Sequence, residues 1–445
     1  MRAVESIDRR AVRGWFERNR RRSEALFDAL RPEAYLDRPI ALRNPIVFYE
    51  GHLPAFSVNT LLKKGLGQPG IDERFEVLFE RGIDPENQTA VPGAPSAWPP
   101  RAEIQAYGRE ADRRILDAIA REDLEDERNA VLRGGLGLFT ILEHELMHQE
   151  TLGYMWHRLP FEKKIRPSGY AVPPTDGPAP APRSVRVPAG AATLGAREGE
   201  IPFGWDNEFS AHTVEVPAFE IDAHDVTNAD YMDFVEAGGY RRADLWSEEG
   251  WHWLRESATE HPAFWERRGD GWVWRGMFEE LPLPASWPVY VSQAEASAFA
   301  RWRGARLPTE PEFHRAAYGT PEGEERTHPW GDEPPDATRG HFDFASWEPS
   351  PAGSHPAGRS AWGIHDLVGN GWEWTSTVFG PHPGFRPMPS YPQYSADFFD
   401  GRHYVMKGAS PATAKELLRP SFRNWFRGNY PYVCAAFRCA RTLSE

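Results

Sequence analysis

Two histidines four residues apart, His144 and His148 in "EHELMHQETLGYMW" (143–156), have the spacing of a metal site. On a helix this spacing leaves two side chains only about 40° apart around the axis, so both imidazoles can reach one ion. With Glu145 between them they spell H-E-x-x-H. In that arrangement a zinc-bound water can be activated for hydrolysis, with the glutamate as base. The chemistry needs a further ligand. A third histidine six residues after the second, preceded by a glycine, would complete one known pattern. Those positions hold Tyr154 and Thr151. His157 lies nine residues after His148, about half a turn out of phase, and cannot join the same ion. His52, in "NPIVFYEGHLPAFSVNTLL", sits on another helical stretch able to face the first. Glu143 and Glu150 are placed to orient ring nitrogens from outside the ligand set. A bare pair at this spacing is more often incidental than a site, so the elements around it must decide.

Four runs before residue 165 repeat apolar residues at three-to-four spacing: 12–31, 55–66, 99–122 and 130–159. They predict a helical bundle, the kind of scaffold that builds metal sites from facing helices. "GYAVPPTDGPAPAPRS" (169–184) is too rich in Pro, Ala and Gly for helix or sheet and reads as a linker. Beyond it come short apolar runs, turn residues and clustered Trp. "RSVRVPAGAATLG" (183–195) alternates like a strand, whereas "SQAEASAFARWRGA" and "TEPEFHRAAYG" predict short helices. The expected division is 1–168 helical, 169–183 linker and 184–445 a mixed α+β domain.

A length of 445 residues, with 40% hydrophobic and 26% charged, fits two folded domains. A net charge of -14 argues against nucleic acid and anionic membrane as partners. The N-terminus lacks a signal-type apolar core, and no stretch approaches a membrane span. Two cysteines, Cys434 and Cys439, are too few for a disulfide framework. Five apart on an expected strand, they would face opposite ways as structural thiols in a reducing compartment. The expected location is the cytoplasm. The 18 Trp suggest aromatic packing or a binding surface.

The second region carries an ordered series: "FGWDNE", "VTNADY", "GGYRRADLWSEEGWHW", "GARLPTEPEF", "PWGDE" and "GIHDLVGNGWEWT". The series resembles the formylglycine-generating-enzyme-like (sulfatase-modifying-factor) domain, a variant of the C-type lectin fold. After a DinB-like four-helix bundle, the pair is similar to ergothioneine-pathway sulfoxide synthases of the EgtB type. "NPIVFYEGH" and "FERGIDPENQT" (79–89) are similar to the branch that includes fungal enzymes. The resemblance covers nearly the whole chain. It implies a non-heme Fe(II) held by His52, His144 and His148, with Glu150 completing the motif outside the ligand set. It also implies O2 as co-substrate. The substrates would be hercynine (N-α-trimethylhistidine) and a cysteine-type thiol, joined with oxidation of sulfur to a sulfoxide. Glu145 is then a helix-surface carboxylate or a supporting group rather than a base. Tyr391 and Tyr394 match a Y-x-x-Y pair; the first supplies a proton near the iron and the second helps hold the imidazole. Asn424 and Trp425 match a pair contacting the betaine, where an aromatic face attracts a quaternary ammonium.

Members that use γ-glutamylcysteine carry Gln before the second helix histidine and an acid after the Asn-Trp pair. Here those positions are Met147 and Phe426. The missing carboxylate favours free cysteine as the thiol. Arg109 and Arg113 share a helix face and are candidates for the thiol's carboxylate, although such a pair is more often a solvated face. "KGASPAT" (407–413) replaces a more usual R-G-G-S-W pattern. The copper-binding cysteine pair of true formylglycine-generating enzymes has no counterpart, which counts against sulfatase activation. Alternatives within the class are a selenoneine synthase and an ovothiol-type 5-histidylcysteine sulfoxide synthase. Outside it stand a zinc hydrolase and a non-catalytic lectin-like module.

Overall fold

The three-to-four repeats of the N-terminal region form the long helices they predict. In the computed structural model, which describes residues 7–80 and 98–443, α1 spans Arg9–Asp28, α2 Ile46–Ser57, a short α3 Glu73–Leu78, α4 Arg101–Arg121 and α5 Leu136–His157. Asp8 caps α1 by accepting from the backbone N–H groups of Arg10 and Ala11. Eleven of the twelve residues of α2 are buried, Glu50 being the exception. A helix apolar on every side shows no amphipathic stripe, which is why periodicity places its start at 55 rather than 46. α2 passes through Pro54 and continues as a π-helical stretch, Val58–Gly65, where the N–H of Leu66 reaches the carbonyl of Leu61. α5 begins at Leu136 rather than 130, because Gly134 and Gly135 take positive φ of 59° and 75° and break the helical path. α2 packs on α4, and α1 on α5. Residues 81–89 of "FERGIDPENQT" lie outside the described residues.

Two compact units result: residues 1–168 with Pro387–Tyr394, and Gly169–Arg386 with Ser395–Glu445. The first unit therefore recruits a segment from far along the chain.

In the second unit the strands are β1 (Ser184–Val187), β2 (Gly190–Leu194), β3 (His212–Val216), β4 (Phe219–Asp222), β5 (Trp265–Arg268) and β6 (Gly271–Arg275). They continue with β7 (Glu280–Pro282), β8 (Gly371–Val378), β9 (His403–Ala409), β10 (Asn424–Arg427), β11 (Ala435–Ala436) and β12 (Ala440–Thr442). Among the described residues they form sheets ordered β10-β9-β8-β11, β1-β4-β12, β5-β6-β7 and β2-β3. The single strand expected over 183–195 is two strands in different sheets, parted by Pro188, which has no N–H for a ladder. α6 (Asn228–Glu236), α8 (Gln293–Trp302) and α9 (Glu310–Tyr318) start on reciprocal caps, Thr227 with Asp230, Ser292 with Glu295 and Thr309 with Glu312; α7 spans Glu248–Ser257. Val187, Phe219, Ile221, Phe313, Ile364 and Ala440 form a core cluster. Trp205, Trp265, Trp274, Trp287, Trp372 and Trp374 are buried, so much of the tryptophan content is packing. Residues 169–183 form neither helix nor strand, and the Pro174 carbonyl accepts from Trp287 Nε1 at 2.8 Å. Cys434 and Cys439 form no disulfide and flank different strands, β11 and β12, rather than sharing one. No helix of the described residues is long and apolar enough to cross a membrane.

Candidate metal centre

α2 and α5 bring three imidazoles to one point. His52 Nε2 lies 3.3 Å from His144 Nε2 and 3.2 Å from His148 Nε2, and one ligand atom from each residue falls within 4.8 Å of the others. Rings wall them in. Phe48 stacks on His52 at 5.1 Å, Phe56 on His144 at 3.5 Å, and Tyr49 packs against His148 at 5.7 Å. The i,i+4 spacing supplies two of the rings and the buried face of α2 the third.

The protonation of His52 follows from its partner. Its Nδ1 lies 2.7 Å from the Phe79 carbonyl, which can only accept, so Nδ1 carries the proton and Nε2 presents a lone pair. Burial pushes His52 down to about 4. Burial and the neighbouring imidazoles hold His144 well below the ordinary imidazole range, and burial, His52 and Arg43 do the same for His148. All three are thus neutral, the form that binds metal. Two nitrogens each about 2.1 Å from one ion and about 100° apart are separated by about 3.2 Å. The two separations from His52 match and all three ligand atoms lie within 4.8 Å, so the residues fit a three-nitrogen metal site, with a backbone carbonyl orienting one ligand.

That carbonyl is what side-chain reading missed. The carboxylates it favoured stand differently. His148 Nδ1 has no hydrogen-bond partner among the described residues, so neither Glu143 nor Glu150 orients it. Glu143 is buried and Glu150 half-buried. Glu145 is not on the helix surface: it is 2% exposed, accepts from Ser23 Oγ at 2.6 Å and pairs with Arg20 at 3.3 Å. Its burial raises its pKa, with Arg20 opposing. One residue beyond His144 is about 100° around the helix, so Glu145 meets α1.

The segment Pro387–Tyr394 runs against α5. Tyr391 packs edge-on to Phe56 at 5.3 Å and to His144 at 6.2 Å. Tyr394 donates to Met147 Sδ at 3.2 Å, and its ring lies 5.8 Å from that of Tyr391. The structure therefore brings together His52, His144, His148, Met147, Tyr391 and Tyr394. Arg109 and Arg113 stand apart on the exposed face of α4, and Arg113 is held by Glu110 at 2.6 Å and Asp117 at 2.9 Å. Both thus lie on a solvated helix face. In the second unit, Asn424, Trp425 and Phe426 lie on β10, paired with β9. Successive residues there project to opposite faces. Trp425 stacks on Phe379 at 4.2 Å and Phe426 on Tyr430 at 5.1 Å.

A helical bundle that carries a three-histidine cluster, followed by a mixed α+β domain, defines a class of two-domain proteins. Residues 16–152 match the DinB superfamily, and residues 170–443 the sulfatase-modifying factor enzyme 1-like domain. The chain is 36% identical over 391 residues to the hercynine oxygenase of Mycolicibacterium thermoresistibile, covering 86% of this chain and 84% of that one. Identity to the hercynine oxygenase of Mycolicibacterium smegmatis is also 36%, covering 73% and 74%. Identity to ergothioneine biosynthesis protein 1 of Neurospora crassa is 31%, covering 92% of this chain and 55% of that protein, so the chain spans about half the fungal relative's length. The chain belongs to the hercynine oxygenase family.

Proposed function

We propose that this protein is a non-heme iron, O2-dependent sulfoxide synthase of ergothioneine biosynthesis that joins hercynine to a cysteine-type thiol. The observation that carries the reading is the meeting of three neutral imidazoles, with the nitrogens of His144 and His148 at 3.3 and 3.2 Å from that of His52 and a phenol beside them, in a hercynine oxygenase relative. His52, His144 and His148 would hold the Fe(II). Bound there, the ion would coordinate a thiolate and pass the substrates' electrons to O2. Overall, a ring C–H and a thiol S–H are exchanged for a C–S bond; one oxygen atom stays on sulfur and the other leaves as water with both hydrogens.

The chain's own residues supply the rest. Phe48, Phe56 and Tyr49 exclude water from the nitrogens, which strengthens electrostatic contacts there. Tyr391 is placed to deliver a proton during C–S bond formation. Tyr391→Phe should keep metal and substrates bound but divert product to the thiol's sulfinic acid, read by mass spectrometry; unchanged partition makes Tyr391 a packing residue. Asn424 and Trp425 are the proposed contacts of the trimethylammonium group. Phe426, stacked on Tyr430, offers no charge to a γ-glutamyl ammonium, and an ammonium buried without a counter-charge costs several kcal/mol. Cysteine is therefore the preferred thiol. Glu145 is engaged by Ser23 and Arg20 and so is not a hydrolytic base, which disfavours the zinc hydrolase.

The test is anaerobic Fe(II) reconstitution followed by O2, hercynine and a panel of thiols. Coupled sulfoxide is expected, with higher kcat/KM for cysteine than for γ-glutamylcysteine. No coupled product from any thiol overturns the reading, and product only from a selenium donor replaces it with selenoneine synthesis.

A further inference from the structure

Thr140, His144 and His148 follow one another at intervals of four along α5, so they stand in one row. Residues Pro387–Tyr394 grip α5 at two points, one in that row and one at Met147 beside it. At one end Ser390 Oγ lies 2.8 Å from Thr140 Oγ1, with Thr140 0% and Ser390 1% exposed. At the other, Tyr394 meets Met147 Sδ. Tyr391 lies between the grips, beside His144.

The direction of the first hydrogen bond is fixed. The Thr140 hydroxyl gives its one proton to the Leu136 carbonyl at 2.7 Å, so Ser390 donates to Thr140. A buried hydroxyl that loses such a partner costs more than the bond itself was worth. Residues 387–392 form neither helix nor strand, and one helical turn, Gln393–Ala396, begins just beyond them. The Tyr391 N–H reaches Met388 O at 3.3 Å, and the Tyr394 N–H reaches Tyr391 O at 3.1 Å. A stretch without a backbone ladder takes its position from what grips it.

We infer that Thr140 and Ser390 are a positioning pair for Tyr391: their buried hydrogen bond, with the Tyr394–Met147 contact, holds the phenol against His144 and so sets how the reaction divides. One branch is coupling, with one oxygen leaving as water. The other is simple thiol oxidation, in which both oxygen atoms of O2 enter the thiol to give a sulfinic acid. The consequence for the reaction rests on the function proposed above; the grip itself does not.

The experiment has two arms. In the metal-free protein, hydrogen–deuterium exchange is followed at the amides of 388–394 in wild type, Thr140→Val, Ser390→Ala and Thr140→Ser. Exchange should rise about 3- to 10-fold in the first two variants, the factor expected for losing one net hydrogen bond. It should return toward wild type in Thr140→Ser, while α1 amides report an intact bundle. Unchanged exchange in Thr140→Val and Ser390→Ala overturns the grip. In the Fe(II)-loaded protein, the ratio of coupled sulfoxide to cysteine sulfinic acid should fall by a similar factor in Thr140→Val, with KM for hercynine little moved and recovery in Thr140→Ser. Faster exchange without a change in that ratio overturns the positioning role. If wild type makes no coupled product, the proposed function fails, and the exchange arm still decides the grip.

Discussion

In the helical unit three imidazoles face one another with no counter-charge among them, whereas in the second unit the fully buried Arg438 is ringed by acids. Its guanidinium meets Glu373 at 2.6 and 2.7 Å and Asp225 at 3.1 Å, and donates to the carbonyls of Asp222 and His365. Arg423 similarly clasps Glu310 at 2.9 and 3.1 Å, and Lys407, pushed down to about 8 by burial, lies 3.9 Å from the same carboxylate. The second unit buries charge and neutralises it internally. The first keeps its nitrogens neutral by desolvation and leaves their lone pairs facing inward. A buried polar cluster satisfied from within is a strut; one whose satisfaction is missing is a receptacle.

Removing one residue from each kind of cluster should therefore have different consequences. The largest effect is expected for His52→Ala, which should abolish stoichiometric Fe(II) binding and all coupling activity while circular dichroism stays that of wild type. Full iron occupancy in this variant would dissolve the cluster as a metal site. Arg438→Met should do the reverse. It leaves Glu373 and Asp225 buried without a counter-charge, at a cost of about 3–5 kcal/mol in urea unfolding, with the iron content of whatever remains folded unaltered.

The acids around Arg438 also give the comparison a pH dependence. Burial pushes Asp366 up to about 6 from an ordinary 3.8. The unfolded chain loses that proton first, so stability falls as pH rises from about 4 to 6 and stays reduced at 7. Asp366 takes a positive φ of 56° and accepts from the Gly353 N–H at 2.6 Å, and asparagine tolerates both demands. Asp366→Asn should flatten the pH–stability curve and gain about 3 kcal/mol at pH 7. An unchanged curve would show that the carboxyl is ionised at little cost. The smallest effect concerns the thiol. Phe426→Asp should narrow the kcat/KM gap between cysteine and γ-glutamylcysteine by at most about 1–3 kcal/mol, the worth of one charged hydrogen bond. Oxygen consumption with both thiols reads it, and a wild-type preference for γ-glutamylcysteine would reverse the assignment.

What could be read in advance follows the range of each interaction. His144 and His148 show themselves through a spacing of four, because a helix turns local spacing into geometry. The Phe79 carbonyl leaves no trace, since every residue carries a carbonyl. Nor does Ser390 against Thr140, a hydroxyl pair separated by 250 residues. Arg109 and Arg113 share a face, as spacing says, but spacing does not tell a covered face from a wet one. Glu145 reads as a surface group only until its partners on α1, Arg20 and Ser23, are known. The break at Pro188 within 183–195 was visible as a residue, but not as a change of sheet.

The membership of Pro387–Tyr394 in the first unit has a consequence for synthesis on the ribosome. The bundle's own helices are complete once residue 168 has emerged, but the phenol beside His144 is some 220 residues further on. At translation rates of about 5–20 residues per second, that is a delay on the order of ten seconds or more. A nascent chain in that interval has all three imidazoles but not the Tyr391 phenol beside them. Under the proposed chemistry, metal taken up early would meet cellular thiols and O2 without the group that directs them to coupling. Under the same proposal, metal loaded after release would meet its substrates with Tyr391 already beside His144.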